Sequence, residues 1–239
     1  MSDNFVDIPF TYDNLDRYVA RTSILEAIKT HLPLMRGRLL DAGCGKMPYK
    51  RFISENSAIS EYVGLDIETA LPYDAAVVPD FRWDGKTMPF EAHAFDSVMA
   101  TEVLEHCPDP NLFLREVRRV LRPDGLFFFT VPFLWNLHEV PHDEYRYTPF
   151  SLERHLRCAG FSEVNIRALG GWHASLAQLL GLWVRRSGMS VTKQRMLSVL
   201  IKPVMQILLR KAADEQVRFI EGSMITGLSG YARGVSPSP

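Results

Sequence analysis

Apolar positions along this 239-residue chain change period in a regular order. Ile24, Leu25, Ile28 and Leu32 recur at the spacing of one helix face, which predicts a first helix from about Leu15 to His31, ended by Pro33. Short apolar runs then follow at Arg38–Asp41, Tyr62–Ile67, Phe95–Thr101, Leu126–Val131 and Phe161–Leu169, each long enough for one strand. The fourth-strand run Phe95–Thr101 continues into Glu102-Val103-Leu104. Helical spacing separates these runs: Tyr49–Ser54, Asn111–Leu121 with Leu114, Val117, Val120 and Leu121 on one stripe, and Pro149–Cys158 closed by Gly160. A short further element is expected at Ala76–Asp80, a turn at Pro123-Asp124-Gly125, and a last strand at Met224–Tyr231.

Short apolar strands alternating with helices predict an α/β fold, doubly wound around a mostly parallel sheet with right-handed crossovers. Ligands of such sheets bind beyond the carboxyl ends of the strands. Asp41–Gly45, Asp66, Glu102–His106 and Pro132–Tyr147 all fall at expected strand ends, so they are expected to converge on one cleft. Strand signal disappears from Gly170 to Glu221, where leucines mix with Arg185, Arg186, Lys193, Arg195, Lys202, Arg210 and Lys211. The expected organisation is an N-terminal helical cap (1–35), a ligand-binding α/β domain (36–171 and 222–235) and a helical insertion before the last strand (172–221).

Composition adds exclusions. Net charge is −1 with 23% charged residues, so the strong basic excess of a nucleic-acid binder is missing and no nucleic-acid partner is expected. The apolar stretches Ala174–Val184 and Met196–Leu209 are too short to span a bilayer. The acidic start, with Asp3, Asp7, Asp13 and Asp16, does not read as a secretion signal. Cys44, Cys107 and Cys158 form no CxxC pair, and a reducing cytoplasm is expected.

Leu40-Asp41-Ala42-Gly43-Cys44-Gly45 follows a strand and lets backbone approach a ligand. A dinucleotide loop would carry a third glycine where this chain has Pro48, and Asp41 beside the glycines suits a cationic ligand better than a phosphate. Asp66, at the end of the next strand, can accept both hydroxyls of a ribose. Farther on come Gly64-Leu65-Asp66-Ile67, Asp84-Gly85-Lys86-Thr87-Met88-Pro89-Phe90, Phe95-Asp96-Ser97-Val98 with Glu102-Val103-Leu104-Glu105-His106, and Leu121-Arg122-Pro123-Asp124-Gly125-Leu126. In this order, over roughly residues 36–170, the set resembles the class I S-adenosylmethionine-dependent methyltransferases. It is most like the bacterial small-molecule subgroup that includes ubiquinone and menaquinone enzymes (type 11). The resemblance implies a seven-stranded Rossmann-like sheet and S-adenosyl-L-methionine as cofactor. It places Asp41, Gly43, Cys44 and Gly45 near the methionine part, Asp66 and Ile67 at the ribose, and Asp84 and Gly85 at the adenine. Thr101 and Glu102 complete the cofactor wall. Trp83 or Met88 lies on the adenine face or packs in the core.

Methyl transfer from a sulfonium is a displacement, so alignment and exclusion of water do most of the work, and a base is needed where the acceptor is a hydroxyl. Histidine suits that task near neutral pH. His142 is the first candidate, with His106 and His138 beside it at strand ends; His106 also reads as a pocket-wall element. Tyr145, Arg146, Tyr147 and Trp135 are candidates for the acceptor side. Arg146 serves either a substrate anion or a local pair with Asp143 or Glu144, and the tyrosines either line the pocket or pack. The sequence His138-Glu139-Val140-Pro141-His142 matches a zinc-peptidase pattern, but Pro141 is incompatible with the helix that pattern needs. A divalent ion held by Glu102, Glu105 and His106 with His142 or His138 is weighed against a structural Glu-His ending, and the reading adopted is that no metal is bound.

The insertion has three readings: a lid over a greasy substrate, a homodimer surface, or a basic amphipathic element in peripheral contact with a membrane. The continuous apolar block Met196–Leu209 predicts substantial burial. The expectation carried forward is a cytoplasmic enzyme methylating a small organic acceptor at oxygen, such as a sugar, phenol or secondary metabolite. The alternatives are nitrogen or carbon methylation, a macromolecular acceptor, a dehydrogenase, and a non-catalytic adapter that retains the fold.

Overall fold

A computed structural model of the chain describes residues 5–68 and 78–234. Seven strands, β1 (Arg36–Ala42), β2 (Ala58–Ile67), β3 (Phe81–Trp83), β4 (Phe95–Thr101), β5 (Leu121–Pro132), β6 (Glu163–Ala168) and β7 (Gly227–Arg233), form one sheet. Their order is β3-β2-β1-β4-β5-β7-β6. The first five run parallel, and β7 enters antiparallel between β5 and β6. The mostly parallel seven-stranded arrangement is the one the sequence implied.

Both faces of the sheet are covered, which is why its central strands read as continuous apolar runs rather than alternating ones. Leu40, Val98, Phe127 and Phe129 point to one face, against α3 (Pro110–Val120) and α4 (Pro149–Cys158). Leu39, Met99, Leu126 and Phe128 point to the other, against α1 (Tyr18–His31) and α2 (Lys50–Asn56). The helix starts are written in the sequence. Asp109 accepts the Leu112 amide at 3.0 Å ahead of Pro110, and Thr148 with Ser151 forms a capping box ahead of Pro149.

Some expectations shift. The first helix starts at Tyr18, after a separate short turn at Tyr12–Asn14. The element expected at Ala76–Asp80 falls partly outside the described residues, and the third strand lies just beyond it at Phe81–Trp83. Pro123-Asp124-Gly125 is not a free turn. It bulges within β5, because Phe95 pairs with Leu121 while Ser97 already pairs with Leu126, so Asp96 faces the extra residues. Strand β4 does not run on past Thr101. Glu102 turns sharply at φ 55°, and a single helical turn follows at Leu104–His106.

Between β6 and β7 the chain makes a helical hairpin of α5 (Trp172–Arg186) and α6 (Val191–Ala212). It packs on the start of α1 through Leu15, Val19, Ala174, Ala177, Val184 and Met205. The expected burial of Met196–Leu209 is not what the structure has. Only Ser198 and Met205 are buried in that block, and Met196, Val199, Leu200, Val204 and Ile207 are exposed. A surface helix packed mainly on one neighbour can bury only one face, and here its second apolar face is left outward.

Candidate active site

Four strand tips meet at one edge. At the first, Asp41 is buried on β1; its Oδ2 accepts the Tyr62 hydroxyl at 2.6 Å, while its Oδ1 is buried without a partner. Burial pushes this carboxyl up to about 7, against the opposing effect of the Tyr62 hydrogen bond. The chain then turns at Gly43, whose φ of 83° excludes most side chains, and a Cβ there would sit 2.5 Å from Val103 Cγ2. Backbone of the loop is thus pressed between β1 and the segment leaving β4. Amides of Gly43 and Cys44 donate to the Leu65 carbonyl at 2.8 and 3.0 Å. The Gly45 amide donates to Asp66 Oδ2 at 3.1 Å, and the Ile67 amide to Asp66 Oδ1 at 2.8 Å, so the loop and the second acid are locked together. Asp66 is mostly buried, and that burial raises its carboxyl above the usual range despite the two amides. The Cys44 thiol is buried beneath the loop and pushed up by burial, which leaves it a packing residue.

Beyond Asp66, Ile67 is exposed and lies over Gly85, where a Cβ would meet Ile67 Cδ1 at 3.2 Å. Asp84 is at the surface with its carboxylate folded onto its own turn, accepting the amides of Lys86 and Thr87 at 2.8 and 3.2 Å. These two amides hold it below the usual range. Of the two readings of Trp83 and Met88, both residues join the core under β4 and α3.

Where β4 ends, Thr101 lies half-buried and Glu102 holds a left-handed backbone, with its Oε1 accepting the Thr130 hydroxyl at 2.9 Å. Burial pushes the Glu102 carboxyl up to about 7. Glu105, on the turn that follows, is fully buried, and neither of its carboxylate oxygens has a hydrogen-bond partner. Burial first, and the neighbouring Glu102 second, push the Glu105 carboxyl well above its ordinary value.

The loop after β5 folds back over this turn. Amides of Glu144 and Tyr145 donate to the Glu105 carbonyl at 2.9 and 3.2 Å, and the Tyr147 hydroxyl to the Leu104 carbonyl at 2.9 Å. Three histidines separate here. His142 has an exposed ring, and its contribution to the cluster is its carbonyl, which accepts from His106 Nδ1 at 2.8 Å. A carbonyl can only accept, so His106 donates from Nδ1, and its Nε2 lies 3.8 Å from Glu105 Oε1 and 3.8 Å from Glu139 Oε2. His138 Nδ1 lies 3.2 Å from Asp143 Oδ2. The Arg146 guanidinium grips both Asp143 oxygens at 2.6 and 2.9 Å and holds that carboxyl far below its ordinary range. Asp143 is therefore an anion, His138 donates from Nδ1, and its Nε2 is free to take a proton. Burial, then the neighbouring His106, lowers the His138 pKa, which keeps the ring neutral at pH 7. The two rings stand 4.7 Å apart.

Of the two roles open to Arg146, the structure shows the local pair with Asp143. Tyr147 is buried as packing, Tyr145 is at the surface with its hydroxyl 3.2 Å from the Pro108 carbonyl, and Trp135 is half-buried in the loop. The four residues weighed for a metal do not converge as a set. Ligand atoms of Glu105, His106 and His138 lie within 4.8 Å of one another, whereas Glu102 is turned to Thr130 and the His142 ring faces outward. Residues 138–142 form a turn rather than a helix, so the peptidase arrangement is not made. Sequence reasoning missed Tyr62 as the partner of Asp41, Thr130 as the partner of Glu102 and Asp143 as the residue that orients His138; each is a contact across strands or within a loop that carries no periodic signal.

Residues 40–129 match the methyltransferase domain family. Over 108 residues (42% of this chain and 40% of the other), the sequence is 36% identical to phthiotriol/phenolphthiotriol dimycocerosates methyltransferase 1 of Mycobacterium ulcerans. Over 116 residues (44% of this chain and 48% of the other), it is 31% identical to ubiquinone biosynthesis O-methyltransferase of Neisseria meningitidis serogroup A. The chain thus spans less than half the length of these relatives. A solved structure of Haemonchus contortus phosphoethanolamine N-methyltransferase 2 in complex with S-adenosyl-L-methionine superposes with a TM-score of 0.56 at 16% identity. That match covers 98% of this chain and 60% of that one, a likeness of fold.

Proposed function

We propose that this chain, whose residues 40–129 belong to the methyltransferase domain family, moves a methyl group from S-adenosyl-L-methionine to an oxygen of a small organic acceptor in the cytoplasm. One observation carries the reading: a buried carboxylate oxygen of Asp41 without a partner stands beside a loop whose Gly43 has no room for a side chain. An unsatisfied acid next to bare backbone suits a cationic ligand and would repel a phosphate. The residues therefore fit the cofactor. Gly43 and Gly45 would lie along its methionine part, Asp66 would accept its ribose hydroxyls, and Ile67 and Gly85 would edge its base.

When bound, the cofactor supplies a methyl group on a sulfonium whose departure needs no acid. The chain's own part is on the acceptor side. His138 takes the acceptor's hydroxyl proton at Nε2, and Asp143, held by Arg146, orients the ring and stabilises the charge it gains. Both relatives described above are named as methyltransferases, one of them an O-methyltransferase, which supports oxygen over nitrogen or carbon.

A second reading rests on the ligand atoms of Glu105, His106 and His138 converging, with neither Glu105 oxygen taken by a hydrogen bond. A divalent ion there would bind vicinal acceptor oxygens and would release the Glu105 proton. Turnover unchanged by a chelator removes this reading.

Calorimetry with S-adenosylhomocysteine tests the main one. The folded chain should bind it, and Asp66→Ala should weaken binding by about a hundredfold, the value of two hydrogen bonds to a charged group. Folded wild-type protein that takes up none overturns the proposal.

A further inference from the structure

The α5–α6 hairpin has a surface that the proposed chemistry does not use. On α5, Trp172, Leu176, Leu179 and Trp183 are exposed at helical spacing, one stripe along its length. On α6, Met196, Val199, Leu200, Val204 and Ile207 are exposed, Val199 and Leu200 by about 70%. With Pro203 they occupy an arc of roughly 140° at 100° per residue. The row Leu200–Val204–Leu208 runs from this face into an apolar groove of about 270 Å³ between the helices, lined by Trp172, Leu176, Leu179, Leu208 and Met224. The groove thus links the two stripes, and together they expose nine large apolar side chains on one hairpin, the kind of patch that marks a docking surface.

The charge around it has one sign. Residues 172–213 contain seven Lys and Arg and no acid, a net of +7, whereas the whole chain carries −1, which leaves −8 on the rest. Several of these cations are engaged inward: Arg186 with Asp16 at 2.7 Å, Arg185 and Arg195 over Tyr12, and Lys202 over Phe10. The other three, Lys193, Arg210 and Lys211, have no ion pair among the described residues. By helical phase all three share the sector of the apolar arc, with Lys193 ahead of its first residue along the helix and Arg210 and Lys211 after its last. The next acids along the chain follow the helix: Glu215 is occupied by the amides of Trp172 and His173, and Asp214 lies beyond Lys211.

We propose that this face docks on the surface of an anionic phospholipid bilayer, with the apolar arc and the two tryptophans in the headgroup boundary and Lys193, Arg210 and Lys211 on lipid phosphates. Among the described residues no helix is long and apolar enough to cross a membrane, so the contact lies on the surface. A second copy is the poorer occupant. Two-fold antiparallel pairing centred on the arc sets Lys193 of one copy against Lys211 of the other, and parallel pairing sets each lysine against itself. An anionic surface supplies the opposite charge in either orientation. Gln178, on the buried side of α5, donates to the Leu134 carbonyl in the loop that carries His138, so the helix that bears the docked stripe also touches the acceptor side of the cleft.

The inference does not depend on methyl transfer, and vesicle binding tests it alone. The full chain is centrifuged with vesicles of phosphatidylcholine, with or without phosphatidylglycerol, and its mass is followed by sedimentation. The expected result is uptake by the anionic vesicles stronger than by neutral ones by about a hundredfold, from about 1 kcal/mol for each of three cations near the surface. Leu200→Glu with Val204→Glu should abolish uptake, and Lys193→Glu with Lys211→Glu should remove the preference for the anionic lipid. Absence of wild-type uptake on anionic vesicles overturns the proposal, as does uptake that the Leu200→Glu, Val204→Glu pair leaves unchanged. A dimer that this pair disrupts, without vesicle uptake, assigns the face to a second copy.

Discussion

The strand-tip cleft and the α5–α6 hairpin break opposite rules of folding. The cleft buries carboxylate oxygens without hydrogen bonds: Asp41 Oδ1 and both oxygens of Glu105 are closed off from solvent with no hydrogen-bond partner. The hairpin leaves large apolar side chains in water, with Trp172, Trp183, Leu200 and Ile207 among them. Each region costs stability in the isolated chain, the first through desolvation of charge and the second through unburied surface. The cost differs in kind, because acids can be relieved by one small cation or by a proton, whereas an apolar face needs a broad partner. A small-molecule site and a surface-docking site can thus be told apart by what each leaves unsatisfied.

The sharpest way to break this comparison is at His138. The His138–Asp143–Arg146 chain sets a buried anion within reach of a half-buried imidazole, while the same Asp143 also accepts the His138 amide and shapes the loop. His138→Ala should lower kcat by about a hundredfold or more, within the range for loss of a positioned base, while cofactor affinity stays near wild type. Asp143→Asn should lower kcat less and move the acid limb of the kcat–pH profile downward, since the imidazolium loses its counter-charge. Turnover unchanged in His138→Ala, or lost together with cofactor uptake, removes the residue from the chemistry.

Asp41 gives the next largest effect, and its sign is fixed by linkage. Its carboxyl titrates near 3.8 when exposed and at about 7 in the fold, so the native state holds a proton that the unfolded chain has released between those values. Stability from this group is present below about pH 4, falls as pH rises toward 7 and is flat above it. Asp41→Asn should remove that slope and raise the melting temperature at pH 8, on the scale of a few kcal/mol at most, while weakening cofactor uptake. In the wild type, a bound cation would stabilise the carboxylate, so uptake near pH 6.5 should release a proton. Calorimetry in buffers of different ionisation enthalpy reads this directly, and absence of proton release separates Asp41 from the ligand.

What the sequence made legible follows the same division. Helix α4 has the bounds expected from Pro149–Cys158, because an explicit cap marks its start, and β4 covers the apolar run Phe95–Thr101 without the continuation expected beyond it. The loop acids were legible because Asp41, Gly43 and Asp66 sit at strand ends in an ordered motif. The surroundings of the histidines were not. The turn at Pro141 carries the His142 ring outward while Asp143 reaches back five residues to His138, and nothing in periodicity says which ring the carboxylate will meet. The second face of α6 was hidden for another reason. Apolar residues surround that helix, with Leu197, Ile201 and Leu208 inward and Met196, Leu200 and Ile207 outward, and a sequence does not say how many sides have neighbours.

The smallest expected effect is the one that most sharpens the contrast. If the outward face of α6 is idle in the folded chain, Leu200→Glu removes no native contact of consequence, since Leu200 is 69% exposed. The helix keeps a good helix former at that position, and substitutions at such surface sites shift stability by no more than about 0.5 kcal/mol. Its melting temperature should therefore match the wild type within about 3 °C. Ala substitution of Met205, fully buried on the opposite side of the same helix, should instead cost about 2–5 kcal/mol through the cavity it opens. Equal losses at the two positions would mean that the outward side is covered in solution by protein, and the difference between a face that holds the fold together and one kept for a partner would disappear.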